Sequence, residues 1–148
     1  MMQLLWALDH SLQVLSKRMM KELRITGPQR LVLKIVRENP RISAGGLAQY
    51  LHIDPSTLTG ILQRLERRRL LRRLVDPDDG RRAQFEVTAK GAEHAAVRTG
   101  TVEQAVLRTL QGLTPDTIQG ARTFLAAMIA EMEREGRGRD ASPALERR

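Results

Sequence analysis

Eight arginines, Arg64, Arg67, Arg68, Arg69, Arg72, Arg73, Arg81 and Arg82, fall within nineteen residues and face only four acids, Glu66, Asp76, Asp78 and Asp79. That segment carries half of the +8 net charge of the 148-residue chain. A solvated surface does not require such a concentration, whereas a polyanion such as the DNA backbone does. Just ahead of it stand Ser56, Thr57, Thr59, Gly60 and Gln63, whose short hydroxyls, absent side chain and amide suit close approach to base edges. Gln63 matches adenine, and Arg64 matches either a guanine or a phosphate. Capping of a helix start accounts for Ser56 and Thr57 equally well.

No comparable constellation supports catalysis or metal binding. The chain holds no cysteine, which excludes disulfides, thiolate chemistry and Cys-ligated zinc. It has no dinucleotide fingerprint, phosphate loop or zinc-protease motif. The acids before Gly80 miss the calcium-loop register, because the glycine comes one position early and Val87 stands where the loop needs its glutamate. His10, His52 and His94 are too scattered to define a ligand set. The expectation is no enzyme, no metal and no cofactor.

The elements that must position the arginines follow from spacing. Leu4, Leu5, Leu8, Leu12, Leu15, Met19 and Leu23 mark one face of a long first helix. Thr26-Gly27-Pro28-Gln29 is a capping box opening a second helix with Leu31, Val32, Ile35 and Val36 on its apolar face. Ser43 caps a short third helix, and Asp54-Pro55 opens a fourth with Leu58, Ile61, Leu62 and Leu65 inward. Residues 70–75 and 83–87 flank the turn-rich Asp76-Pro77-Asp78-Asp79-Gly80 and predict a β-hairpin. Thr88 caps a long helix carrying residues 92–110, with Gly100 its weak point, and Thr114-Pro115 starts a last helix. Residues 136–148 lack periodicity and are expected as a disordered tail.

Helix, short turn, helix and hairpin in that order make a winged helix-turn-helix, whose second helix enters the major groove. With the four apolar residues inward, Ser56, Thr57, Thr59, Gly60, Gln63, Arg64 and Arg67 point outward. The fold expectation is therefore mainly α with a small β-hairpin wing: one domain over 1–135, a DNA-binding lobe over about 28–91, and apolar terminal helices at about 1–24 and 92–135 that pair two copies.

From Ile42 to Gly91 the chain resembles the MarR family of multiple-antibiotic-resistance-type transcriptional regulators. The resemblance rests on Leu47-Ala48, Leu65-Glu66, the hairpin Val75-Asp76-Pro77-Asp78-Asp79-Gly80-Arg81-Arg82, and Val87-Thr88-Ala89-Lys90-Gly91. Its most specific element is Asp79, Arg81, Thr88 and Gly91. It implies a homodimer gripping a pseudo-palindromic operator, with Arg81 in the minor groove, Asp79 orienting it and Arg82 beside it. Arg68, Arg69, Arg72 and Arg73 then meet phosphates. It also implies a small aromatic or lipophilic acid as effector, near Trp6, His10 and Arg18 on the first helix. Two departures stand out. Arg69 occupies a position where the family often has glycine, and a left-handed cap there costs Arg about 1 kcal/mol, so the helix is expected to end differently or run longer. Gly45-Gly46 weakens the first turn of the third helix.

With four aromatic residues, Trp6, Tyr50, Phe85 and Phe124, the chain has too few rings to stack single-stranded bases, so duplex DNA is favoured. The longest apolar run, Phe124 to Ala130, is far short of a membrane span. A cytoplasmic, membrane-free protein is expected. The alternatives are an architectural protein that coats DNA and a winged-helix module that contacts other proteins.

Overall fold

A computed structural model describes residues 1–77, 79–80 and 82–140, with no side-chain detail beyond 136. The elements run α1 (Met2–Leu23), α2 (Gly27–Glu38), β1 (Ile42–Ser43), α3 (Ala44–Leu51), α4 (Pro55–Arg67), β2 (Leu71–Val75), β3 (Ala83–Val87), α5 (Ala89–Ala96), α6 (Val102–Gln111) and α7 (Pro115–Asp140). The strands form an antiparallel sheet in the order β1-β3-β2. Arg72 stands opposite Glu86, Val75 opposite Ala83 and Ile42 opposite Phe85.

The chain separates into two compact units, the first spanning Met1–Ala105 and the second beginning at Val106. The core of the first unit joins Val32, Leu33, Ile35 and Val36 of α2 to Leu47 of α3, Leu58, Ile61, Leu62 and Leu65 of α4, Leu70, Leu71 and Phe85. Each large side chain fully withdrawn from water there is worth roughly 1.5–3 kcal/mol. This core fixes the attitude of α4 against the sheet. In the second unit, Val106, Leu107, Leu110, Leu113, Phe124, Leu125, Ile129 and Met132 are all exposed. So are Leu4, Trp6, Leu8 and Leu12 of α1 in the first unit.

The caps form where the residue types predict them. The Thr26 Oγ1 accepts from the Gln29 backbone N–H while the Gln29 Oε1 accepts from the Thr26 N–H, completing the capping box. Ser43 Oγ accepts from Gly46 N–H at 3.1 Å, so α3 starts at Ala44 despite its paired glycines.

Three expectations are corrected, and one element was not foreseen. The long helix after Thr88 is two helices, because the chain turns at residues 97–101, Gly100 takes a left-handed φ of 70°, and Thr101 Oγ1 caps α6 by accepting from Gln104 N–H. Helix α7 continues through Asp140, so residues 136–140 are helical rather than tail, while residues 141–148 lie outside the described residues. On α2 it is Leu33 that is buried, while Leu31 is exposed. Strand β1, two residues long, is too short to show a period in the sequence.

Candidate nucleic-acid interface

Helix α4 is set at its start by Asp54. Its Oδ1 accepts from both the backbone N–H and the hydroxyl of Ser56, and these bonds, led by the hydroxyl, hold its carboxyl below the usual aspartate range. Thr59 donates its hydroxyl to Pro55 O at 2.8 Å. The hydroxyl protons of Ser56 and Thr59 are thus spent within the helix, leaving their oxygens as acceptors toward a partner.

The seven residues expected to point outward divide between two faces. Leu58, Ile61, Leu62 and Leu65 face the core, and helical geometry sends Ser56, Gly60, Gln63 and Arg67 directly away from it, with Thr59 beside them. A Cβ at Gly60 would meet nothing within 4 Å, so this face is open. Thr57 and Arg64, two turns apart, lie on a flank that lines a cavity of about 550 Å³. That cavity is bounded by Leu12 of α1, Leu31 of α2, Ile53 after α3, and Val102 and Glu103 of α6. Trp6, His10 and Arg18 are not among its lining residues. Trp6 is exposed, and Arg18 pairs with Glu22 one turn on.

The end of α4 answers the question that Arg69 raised. Arg69 takes φ 56°, its N–H donates to Glu66 O at 2.8 Å, and Leu70 N–H donates to Leu65 O at 2.9 Å. This is a Schellman cap with buried Leu65 and Leu70 as its apolar pair, so Arg accepts the strained left-handed position and the helix does not lengthen. Arg68 donates to the Arg24 carbonyl at the end of α1, tying the two helix ends together. Thr88 Oγ1 donates toward the carbonyls of Arg69, at 2.7 Å, and Leu70, at 3.2 Å, and accepts from Gly91 N–H.

In the wing, Arg82 N–H donates to Asp79 O at 2.8 Å, and Asp76 N–H donates to Arg82 O at 3.1 Å, closing the tip. The side chains of Arg82 and Asp79 pair at 3.9 Å. Arg81 and its expected minor-groove role lie outside the described residues, as does Asp78. At the wing root Glu86 on the middle strand accepts from Arg72 and Arg41, bonds that hold its carboxyl below the usual glutamate range, Arg72 contributing most. Arg72 is therefore engaged at the root of the sheet. Arg73, its neighbour on the opposite face of β2, and Arg69 are exposed.

Arg30 was missed by the sequence. It stands on α2 only 2% exposed, donates to Glu103 Oε1 at 2.9 Å, and donates to the carbonyls of His94, Ala95 and Val97 at the end of α5. Glu103 Oε2 is buried and has no hydrogen-bond partner among the described residues. Seventy-three residues separate the pair, and no local pattern announces it; the one available signal was a charged residue amid the apolar positions of α2. His94 is held below the usual histidine range, first by burial and then by the charges of Arg68 and Lys90. Among the described residues no cluster of His, Asp or Glu could hold a metal, and no helix is long and apolar enough to cross a membrane.

Comparison with known proteins agrees with this geometry. The MarR family model matches residues 25–83. The organic hydroperoxide resistance transcriptional regulator of Bacillus subtilis is 30% identical over 102 residues, 67% of this chain and 69% of that protein. A putative transcriptional regulatory protein for the hcr operon of Thauera aromatica is 27% identical over 104 residues, 70% of this chain; the match spans 60% of that relative's length. Among solved structures, the PcaV transcriptional regulator of Streptomyces coelicolor, in complex with its natural ligand, superposes with a TM-score of 0.69 at 26% identity, covering 86% of this chain and 89% of that one.

Proposed function

The chain belongs to the MarR family of DNA-binding transcriptional regulators, and from that premise we propose that it is a repressor that binds a pseudo-palindromic operator as a homodimer. The observation that carries this reading is the outward face of α4. Ser56, Thr59, Gly60, Gln63 and Arg67 are free of both core and cavity, on a helix whose start is capped and whose end is tied to α1 and α5. Such a rigid, polar, partly side-chain-free face suits the major groove. Arg69, Arg73 and Arg82 supply phosphate contacts around it, and Arg81 with Asp79 supplies the wing contact. Arg72 and Arg68 contribute mainly through the sheet root and the helix tie.

Two copies account for the apolar side chains left in water. Trp6, Leu8 and Leu12 in one unit and Phe124, Leu125 and Ile129 in the other are large apolar side chains exposed to water, of the kind a second copy would cover. Sedimentation at micromolar concentration should give about twice the chain mass.

A small aromatic or lipophilic effector is proposed to occupy the cavity beside α4. Thr57 and Arg64 belong at once to the cavity wall and to the reading helix, so an occupant bears directly on the helix that meets DNA. In this reading the ligand sits against Leu12, Leu31 and Ile61 rather than against Trp6, His10 and Arg18. Footprinting on upstream DNA tests the proposal: one protected palindrome is expected, whereas extended sequence-blind coverage would indicate an architectural protein. With roughly 6 to 10 phosphate contacts, affinity should fall ~10³ to 10⁵-fold between 50 and 200 mM salt.

A further inference from the structure

The cavity beside α4 has an almost wholly apolar wall, built on Leu12, Leu31, Leu51, Ile53, Ile61 and Val102. Two charged residues reach it, and neither offers an anion a counter-charge. Arg64 is exposed, and in so apolar a wall it presents its aliphatic stem. Glu103 carries the same sign as an anion and already accepts from Arg30 at 2.9 Å, so the pair is neutral as a whole. Its Oε2 has no hydrogen-bond partner among the described residues to offset the carboxylate further. The other polar groups of the wall are uncharged. Ser16 Oγ accepts from Gly27 N–H at 2.9 Å and Thr26 Oγ1 accepts from Gln29 N–H, so both oxygens are engaged at the start of α2. The Thr57 hydroxyl forms no hydrogen bond among the described residues and remains for an occupant.

We propose that the ligand of this cavity is an uncharged lipophilic alcohol, with its hydrocarbon body on the apolar wall and its hydroxyl on Thr57. The inference rests on the cavity being the effector site, and it departs from the acid that the family resemblance implies. A carboxylate entering the cavity loses hydration, finds no free guanidinium, and meets in Glu103 a charge of its own sign. An ammonium loses hydration as well, and the one carboxylate that would receive it is held by Arg30, whose charge opposes a second cation. An alcohol gives up only a hydroxyl's hydrogen bonds to water, and Thr57 returns one of them, since its own hydroxyl both donates and accepts. The volume of about 550 Å³ accommodates such a molecule, because pockets for small ligands run from roughly 300 to 1,000 Å³.

Calorimetric titration of the full chain at neutral pH with naphthylmethanol, naphthoate and naphthylmethylammonium tests this directly, because one ring system then carries three charge states. The alcohol should bind at least about tenfold more tightly than either ion. Thr57→Val keeps the shape of the side chain and should weaken the alcohol by about three- to tenfold. Glu103→Gln still accepts from Arg30 but leaves that guanidinium unbalanced, so naphthoate should gain affinity while the alcohol keeps its own. Equal affinity for alcohol and naphthoate would overturn the proposal, since the charge would then sit in water at the cavity mouth. Naphthoate binding that Arg64→Gln abolishes would overturn it too, by making Arg64 the counter-charge. So would tightest binding of the ammonium, which would make Glu103 the ligand's partner, or an alcohol affinity unchanged in Thr57→Val. In each of these outcomes the cavity remains a ligand site. If none of the three compounds binds, the effector reading of the cavity fails and the inference with it, while an operator footprint would leave the regulator reading intact.

Discussion

A Cβ built on Gly91 would lie 2.0 Å from the carbonyl oxygen of Leu70 and 2.9 Å from its carbonyl carbon. The first turn of α5 therefore rests directly on the backbone that ends α4. Thr88, three residues earlier, donates to the same stretch of backbone, so the Thr-x-x-Gly pattern joins the reading helix to α5 by one hydrogen-bonding group and one absent side chain. Gly91→Ala cannot be relieved by a change of rotamer, because the obstacle is main chain. It should destabilise the protein by roughly 3 kcal/mol or more, at the upper end of overpacking costs, read as a lower urea midpoint with an unchanged slope. A loss below about 1 kcal/mol would mean that the two segments are not in contact.

The neighbouring Arg69 makes the opposite prediction. It holds φ 56° in a Schellman cap whose hydrogen bonds are all made by backbone. Arg69→Gly removes the left-handed strain and should raise stability by about 0.5–1 kcal/mol, an increase in Tm of about 3 °C. DNA affinity should fall slightly with the lost charge, so the two properties move apart.

Arg30 is the residue on which α2, α5 and α6 converge. Arg30→Met leaves the Glu103 carboxylate buried and unpaired and the last carbonyls of α5 without their donors, which should cost about 3–5 kcal/mol. Adding Glu103→Leu removes the stranded charge. The double variant should recover a substantial part of that loss in denaturant titrations, which would separate the cost of breaking the pair from the worth of having it.

His94 gives the stability a pH dependence near neutrality. Its pKa is lowered in the folded protein by burial and by Arg68, Lys90 and Arg30, against the opposing charge of Glu93. Below about pH 6.5 the unfolded chain takes up a proton that the folded chain resists, so stability is retained above that value and falls as the pH drops beneath it. Urea midpoints at pH 7.5 and 5.5 should differ, and His94→Gln should narrow the difference. At lower pH the depressed carboxyls of Asp54 and Glu86 add a second loss, since each stabilises the fold only while ionised.

Much of this architecture was legible because it depends on local signals. Capping residues such as Thr26, Ser43 and Asp54, turn residues at the wing, and the 3.6-residue spacing of Leu58, Ile61, Leu62 and Leu65 act within one or two turns of chain. What escaped depends on distance or on a choice between near-equal conformers. Gly100 marked a weak point, but only the capping of α6 by Thr101 turns weakness into a break. The division of α4 into an open face and a cavity flank is set by where α1 and α6 pack, which the spacing of α4 alone does not contain. Arg30 and Glu103 belong to the same class.

That division sharpens the test of DNA recognition. Gln63 stands on the open face, whereas Thr57 lies against the cavity, so truncating the two should have different consequences even though both were expected to read bases. Gln63→Ala should change the ranking of operator variants by ~1 to 3 kcal/mol at the affected base pair, while Thr57→Ala should leave that ranking nearly unchanged and alter the response to ligand. Arg81→Ala should weaken binding to most sequences alike, because a guanidinium in the minor groove responds to width and potential more than to base identity. Asp79→Ala should give a milder form of the same defect. Competition binding against a panel of single-base operator variants, with each protein checked for fold and mass, separates these patterns. An Arg81→Ala protein that binds operator as the parent does would remove the wing from the interface. A Thr57→Ala protein that reranks operators as Gln63→Ala does would return the cavity flank of α4 to the DNA.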